Sequence, residues 1–109
     1  FTKVEMFGVC LPHQSEDVFK LFCQIQEDLF SPFDIHYRVI DMGPRELGHH
    51  AYRKFDIEAW MPGMKRYGEI SSCSNCIDYQ VTTIFFNVWC RGNSIIMTVI
   101  FKLRTFCIF

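Results

Sequence analysis

Residues 52–80 read YRKFDIEAWMPGMKRYGEISSCSNCIDYQ, and their alternation decides the fold. From Tyr52 to Trp60, Phe55, Ile57 and Ala59 point one way while Lys54, Asp56 and Glu58 point the other, with Tyr52 and Trp60 at the ends of the charged row. Such a strand covers a core with one face and turns the other to water or a ligand. Met61-Pro62-Gly63 stops it, because proline cannot donate to a ladder and glycine favours a turn. A second strand resumes over Tyr67 to Ser72, and strict alternation sets Tyr67, Glu69 and Ser71 on one face. The plainest reading of the pair is an ordinary sheet with one solvated side.

Directly after this strand, SSCSNC packs small and polar residues around Cys73 and Cys76. A Cys-x-x-Cys pair suits a redox couple or half of a zinc site. No second pair stands at finger-like spacing, and no motif places His36, His49 or His50. The pair therefore reads as structural, or reactive without being catalytic; a small thiol or metal domain built on Cys73 and Cys76 is the alternative. Six cysteines, at 10, 23, 73, 76, 90 and 107, suggest a disulfide scaffold at first sight. With no signal peptide in view and few loops, reduced thiols of an intracellular protein are the better expectation.

A chain of 109 residues makes one small domain, and 50% hydrophobic content supports a core. Eleven basic against twelve acidic residues argue against a broad positive surface for nucleic acid. Phe1 to Val9 alternates, with Phe1, Lys3, Glu5, Phe7 and Val9 on one face. Glu5 beside Lys3 is either an edge salt bridge or a carboxylate on the floor of a cleft that holds an ammonium group. Ser15 is placed to cap a helix with Glu16 and Asp17 in its first turn, and Val18, Leu21, Phe22, Ile25 and Leu29 form its apolar stripe. Ser31-Pro32 ends that helix. A strand follows over Ile35 to Met42, broken at Gly43-Pro44; His49 and His50, being adjacent, point apart and do not share a metal. Arg53 and Lys54 read as charges on a solvated face, or as phosphate partners. The succession of strand, helix and three strands predicts an α+β fold, an antiparallel sheet with a packed helix.

Glu69, Ser71 and Ser72, a carboxylate and two hydroxyls near a strand end, offer oxygen ligands to magnesium and hydrogen bonds to polyphosphate or ribose oxygens. The longest uncharged runs near the end, residues 79–90 and 92–101, fall short of the roughly 20 residues of a membrane-spanning helix. They suit a hairpin turning at Arg91-Gly92-Asn93, or are non-coding or misassembled sequence, and their β-prone composition is an aggregation hazard.

The phrases AYRKFDIEAWMPG (51–63) and GEISSCSNCIDYQ (68–80) resemble the seryl-tRNA synthetases, class II aminoacyl-tRNA synthetases, and most closely their mitochondrial form. FTKVEMFGV (1–9) is similar to the second strand of that family's motif 2, and ELGHHA (46–51) to the loop before the charged strand. The resemblance implies a partial class II aminoacyl-tRNA synthetase catalytic fold over residues 1–80, with 81–109 a divergent hydrophobic tail in place of an arginine-rich helix. Glu5 matches the glutamate that contacts serine. Glu69, Ile70, Ser71 and Ser72 match the quartet lining the ATP site, with Glu69 near Mg2+ and the phosphates, and Asn75 orients that segment or approaches the serine pocket. The implied parent is a serine-tRNA ligase, a homodimer that activates serine with ATP to seryl-adenylate and transfers it to serine tRNA, in the mitochondrial matrix or alternatively the cytoplasm. Motif 1, the motif 2 arginine and motif 3 have no counterpart here, so the polypeptide alone is expected to be inactive; a catalytically inactive synthetase-like binding or structural protein is the competing reading.

Overall fold

A computed structural model describes residues 3–79, and the strand 97–104 at the level of its backbone. Five strands and one long helix make up the described fold: β1 (Lys3–Cys10), a short 3-10 turn (Pro12–Gln14), α1 (Ser15–Phe30), β2 (Tyr37–Asp41), β3 (Arg53–Met61), β4 (Arg66–Asn75) and β5 (Met97–Arg104). The sheet order is β1-β5-β4-β3-β2, and every neighbouring pair is antiparallel. This is the α+β arrangement expected from the alternating strands. The strand from the expected tail, β5, lies between β1 and β4. The hairpin turn expected at Arg91-Gly92-Asn93 lies outside the described residues.

Helix α1 packs across one face of the sheet. Its buried side chains are Ser15, Phe19, Phe22 and Gln26, three or four residues apart and therefore on one side of the helix. Phe19 and Phe22 pack with Cys73 of β4, against Met6, Val18, Cys23 and Phe55. A second cluster joins Ile57, Ala59 and Ile70, with Phe30, Ile35, Tyr37 and Met61 around it. The apolar stripe expected on α1 is thus rotated: Phe22 is buried, but Leu21 (55% exposed), Ile25 and Leu29 lie on the outer side. The stripe in the sequence is wider than the sheet contact, and the phenylalanines take that contact because of their larger apolar area. Ser15 does not cap the helix either. It is the first helical residue, and its hydroxyl accepts a 2.7 Å hydrogen bond from the Asn75 side-chain amide of β4. The helix ends where expected, with the Ser31 N–H donating to the Glu27 carbonyl just before Pro32.

The register between β3 and β4 carries one irregularity. Ile57 stands opposite Ser71 but Glu58 opposite Glu69, so Ile70 is an extra residue in β4. A bulge of this kind shifts the alternation of everything beyond it.

Candidate functional site

The face of the sheet turned away from α1 collects most of the polar residues singled out in the sequence. Glu5 pairs in register with Lys102, Lys102 with Ser72, Ser72 with Asp56 and Asp56 with Ile40, one row across all five strands. Directly opposed residues of an antiparallel sheet share a face. Two strand spacings of about 4.8 Å each put Glu5 roughly 10 Å from Ser72. In the next row Glu69 stands opposite Glu58, and Glu58 opposite Arg38. Glu5, Ser72 and Glu69, which strict alternation could not align, are brought to one surface.

The bulge at Ile70 also corrects the expected grouping of Tyr67, Glu69 and Ser71. Beyond the extra residue, Ser71, Cys73 and Asn75 turn towards the helix, and Ser72 and Ser74 turn away from it. Cys73 packs on Phe19 and Phe22, and Asn75 bonds Ser15, which fixes the direction of this alternation. Ile70 packs with Ile57 and Ala59 in the core. Of the residues matched to the ATP-site quartet, the structure therefore sets Glu69 and Ser72 on the polar face and turns Ile70 and Ser71 to the helix side. Asn75 is a tie within the fold: its amide donates to Ser15, and its Oδ1 accepts the Ile77 N–H at 3.0 Å, holding Ile77 at φ 42°. These bonds tie the end of β4 to the start of α1.

The expected solvated side is not fully solvated. Asp56, Ser72 and Ser74 are each no more than 4% exposed. Lys54 donates to Asp56 Oδ2 at 2.8 Å, a pair that is itself largely buried. Asp56 Oδ1 has no hydrogen-bond partner among the described residues. Burial raises the Asp56 pKa above the usual carboxylate range, the hydrogen bond and charge of Lys54 pull it down, and the charges of Glu69 and Glu58 push it up again. In the sequence Asp56 is one member of a charged row, and its central place in the alternation is the signal that marks it.

The margins of the face are tied by ion pairs. Lys3 Nζ lies 2.6 Å from Glu5 Oε1, so the edge salt bridge weighed for these residues is present, and it holds the Glu5 carboxylate against its own strand. Arg38 donates through Nε and Nη2 to Glu58 Oε2, at 2.9 and 2.7 Å, and stacks 4.0 Å above the Tyr67 ring. Trp60 meets Tyr67 edge-on, and His36 Nε2 is 2.9 Å from the Tyr67 hydroxyl. Arg53, on the helix side, bridges Glu16 and Asp41 and lies over Phe55. Neither Arg53 nor Lys54 lacks a carboxylate partner, which accounts for both without a phosphate.

The thiols pair differently from their spacing. Cys73 makes its thiol contact with Cys23 of α1, and this hydrogen bond, then burial, drives the Cys73 pKa far above the ordinary range. Cys10, Cys23, Cys73 and Cys76 are thiols rather than halves of a disulfide. Among the described residues no three His, Cys, Asp or Glu side chains converge to hold a metal ion, and no helix is long and apolar enough to cross a membrane.

The family model of the tRNA synthetase class II core domain (G, H, P, S and T) matches residues 1–102. The chain belongs to the class II tRNA synthetase core-domain family. Its match passes Gln80 and reaches into β5, in accord with the place of that strand in the sheet. Within the family, the chain is 52% identical over 87 residues to the mitochondrial serine–tRNA ligase of Mus musculus and 54% identical over 82 residues to that of Bos taurus. These stretches take in 78% and 73% of the chain, but only 17% and 16% of the relatives. The bacterial serine–tRNA ligase of Dictyoglomus thermophilum is 49% identical over 80 residues, 73% of the chain and 19% of its own length. Among solved structures, the seryl-tRNA synthetase of Pyrococcus horikoshii complexed with ATP superposes with a TM-score of 0.78 at 32% identity, over 93% of this chain and 23% of that one. The cytoplasmic serine–tRNA ligase of Naegleria fowleri in complex with AMP gives 0.79 at 31%, over 94% and 25%. The chain thus spans about a fifth of the relatives it matches, and within that span carries part of the class II catalytic fold.

Proposed function

We propose that this chain is a piece of the catalytic core of a serine–tRNA ligase, and that its polar sheet face contributes to the binding of serine and ATP. The observation that carries the reading is the shared face of Glu5, Ser72 and Glu69, in a chain about half identical to serine–tRNA ligases and superposable on relatives solved with ATP or AMP. Glu5 is the acceptor for the serine ammonium group. Held by Lys3, it keeps one orientation, and a charge-assisted hydrogen bond there gains strength as water leaves the cleft. Ser72 donates its hydroxyl to a nucleotide oxygen. Ile70 and Ser71 support the ATP site from the helix side, and Asn75 fixes the segment that carries them.

Magnesium fits Glu69. This ion is commonly bound through one or two carboxylates together with substrate phosphates, without a full protein cage, and the buried Asp56 Oδ1, which has no hydrogen-bond partner among the described residues, lies on the same face. When bound, the ion would supply charge neutralisation on the triphosphate. The protein's own residues position the serine carboxylate for attack on the α-phosphorus and hold the pyrophosphate-bearing end in line. The whole enzyme forms seryl-adenylate, transfers serine to serine tRNA and works as a homodimer. Identity to the mouse and bovine mitochondrial ligases favours the mitochondrial matrix, and a cytoplasmic site would show as failure of the full-length protein to co-fractionate with mitochondria.

Serine-dependent ATP–pyrophosphate exchange is the test, in a chimera of a full-length serine–tRNA ligase whose matching segment is replaced by that of this chain. The chimera retains exchange. Glu5→Ala raises the KM for serine by about tenfold or more, the worth of one hydrogen bond to a charged group, and leaves the KM for ATP nearly unchanged. Equal loss towards both substrates would count against the role of Glu5, and a folded chimera without exchange would count against the function.

A further inference from the structure

Cys23 of α1 and Cys73 of β4 meet under the sheet. Cys73 is wholly buried in the cluster of Phe19 and Phe22, and Cys23 packs against that cluster. The two thiols are in hydrogen-bond contact, and the Cys73 sulfur lies 4.0 Å from the Phe19 carbonyl, one helical turn before Cys23. Cys23, unlike Cys73, is only partly buried. It lines a cavity of about 320 Å³ together with Lys20, Gln24, Arg53 and Phe55. That cavity is on the helix side, across the sheet from Glu5, Ser72 and Glu69. An accessible thiol with a second thiol directly behind it is the arrangement that turns oxidation into a disulfide rather than into irreversible damage.

We propose that Cys23 is the thiol of this chain that reacts with hydroperoxides, and that Cys73 resolves it as an intramolecular disulfide tying α1 to β4. The Cys23 thiolate attacks one peroxide oxygen, the O–O bond breaks, and the alcohol or water leaves with a proton. Cys23 is then a sulfenic acid. The Cys73 sulfur attacks the Cys23 sulfur, the S–O bond breaks, the S–S bond forms and water departs with the Cys73 proton. Two thiols have given up two electrons and two protons to one hydroperoxide. Electrostatics agree with the order of events. The hydrogen bond from Cys73 lowers the Cys23 pKa against the opposing effects of burial and of Glu27 and Glu16, with help from Arg53, whereas burial raises that of Cys10. The bond forms one residue beyond Ser72, so it links the redox state of the helix side to the strand carrying the polar face.

The test treats the full 109-residue chain with an equimolar amount of hydrogen peroxide, blocks remaining thiols with N-ethylmaleimide and maps the peptides by mass spectrometry. A Cys23–Cys73 linked peptide, lighter by two hydrogens, is the expected main product, with Cys23 reacting about tenfold faster than Cys10. In Cys73→Ser, dimedone captures Cys23 as the sulfenic acid; in Cys23→Ser, Cys73 stays reduced at the same dose. The same mapping in concentrated urea abolishes the preference, and this comparison needs no variant to fold. A main product linking Cys73 to Cys76, faster oxidation of Cys10, or an unchanged pattern in urea would overturn the proposal.

Discussion

Asp56 illustrates what one residue does to both stability and site. A carboxyl group this buried, with one oxygen tied to Lys54 and the other unpartnered among the described residues, has its folded-state pKa raised mainly by burial. The folded chain therefore holds this proton more tightly than the unfolded chain does. Its contribution to stability is present in full below the ordinary carboxylate pKa and is lost as pH rises through the raised value. Asp56→Asn, which keeps the shape without the charge, removes that component. Urea unfolding across the acidic range is expected to show wild type losing stability relative to the Asn variant as pH increases; a difference that stays flat, or grows in the other direction, would mean that Lys54 rather than burial governs the group. A raised pKa also suits a site that receives metal or cationic ligands, since ionisation of Asp56 becomes more favourable when positive charge arrives.

At the scale of elements, the contact of α1 with β1 depends on Gly8. A Cβ there would lie 3.0 Å from both Phe22 Cζ and Val18 Cγ1, closer than side chains normally pack, and these two side chains would have to shift within a packed contact. Gly8→Ala is expected to destabilise the chain by roughly 1–3 kcal/mol, whereas Gly43→Ala, with nothing within 4 Å, is expected to leave the urea midpoint unchanged or raise it. Equal effects would mean that the helix does not rest on β1. The elements themselves were legible because their patterns are local: the period-two alternation of Lys54, Asp56 and Glu58 gave β3, and Glu16-Asp17 and Pro32 bracketed α1. What stayed hidden depended on distant partners. Nothing in YGEISSC marks Ile70 as an extra residue, because a bulge is defined by the strand it faces; Ser71 and Ser72 therefore exchanged faces relative to the expected order. Ser15 looked like a cap until Asn75, sixty residues away, claimed its hydroxyl. Cys23 found its partner across the same kind of gap, while the short spacing of Cys73 and Cys76 drew attention elsewhere.

Over the whole molecule, the antiparallel sheet serves as a partition. One side is committed to α1, to the two apolar clusters and to the Cys23–Cys73 contact; the other carries Glu5, Asp56, Ser72 and Glu69 in adjoining rows. The candidate serine and ATP contacts were legible from the resemblance of their motifs, but their common face was not, since it depends on β5 coming between β1 and β4 and on the bulge in β4. The sharpest consequence concerns two neighbours of the same chemical type. Ser71 and Ser72 are both buried, yet they point to opposite sides of the partition. In the chimeric full-length ligase, the steady-state kcat/KM for ATP in serine-dependent pyrophosphate exchange measures each alanine variant against its parent. This opposite orientation predicts a fall of about tenfold or more for Ser72→Ala, where a hydroxyl to a charged oxygen is lost, and a change within about twofold for Ser71→Ala. A larger loss at Ser71, or equal losses at both, would contradict it.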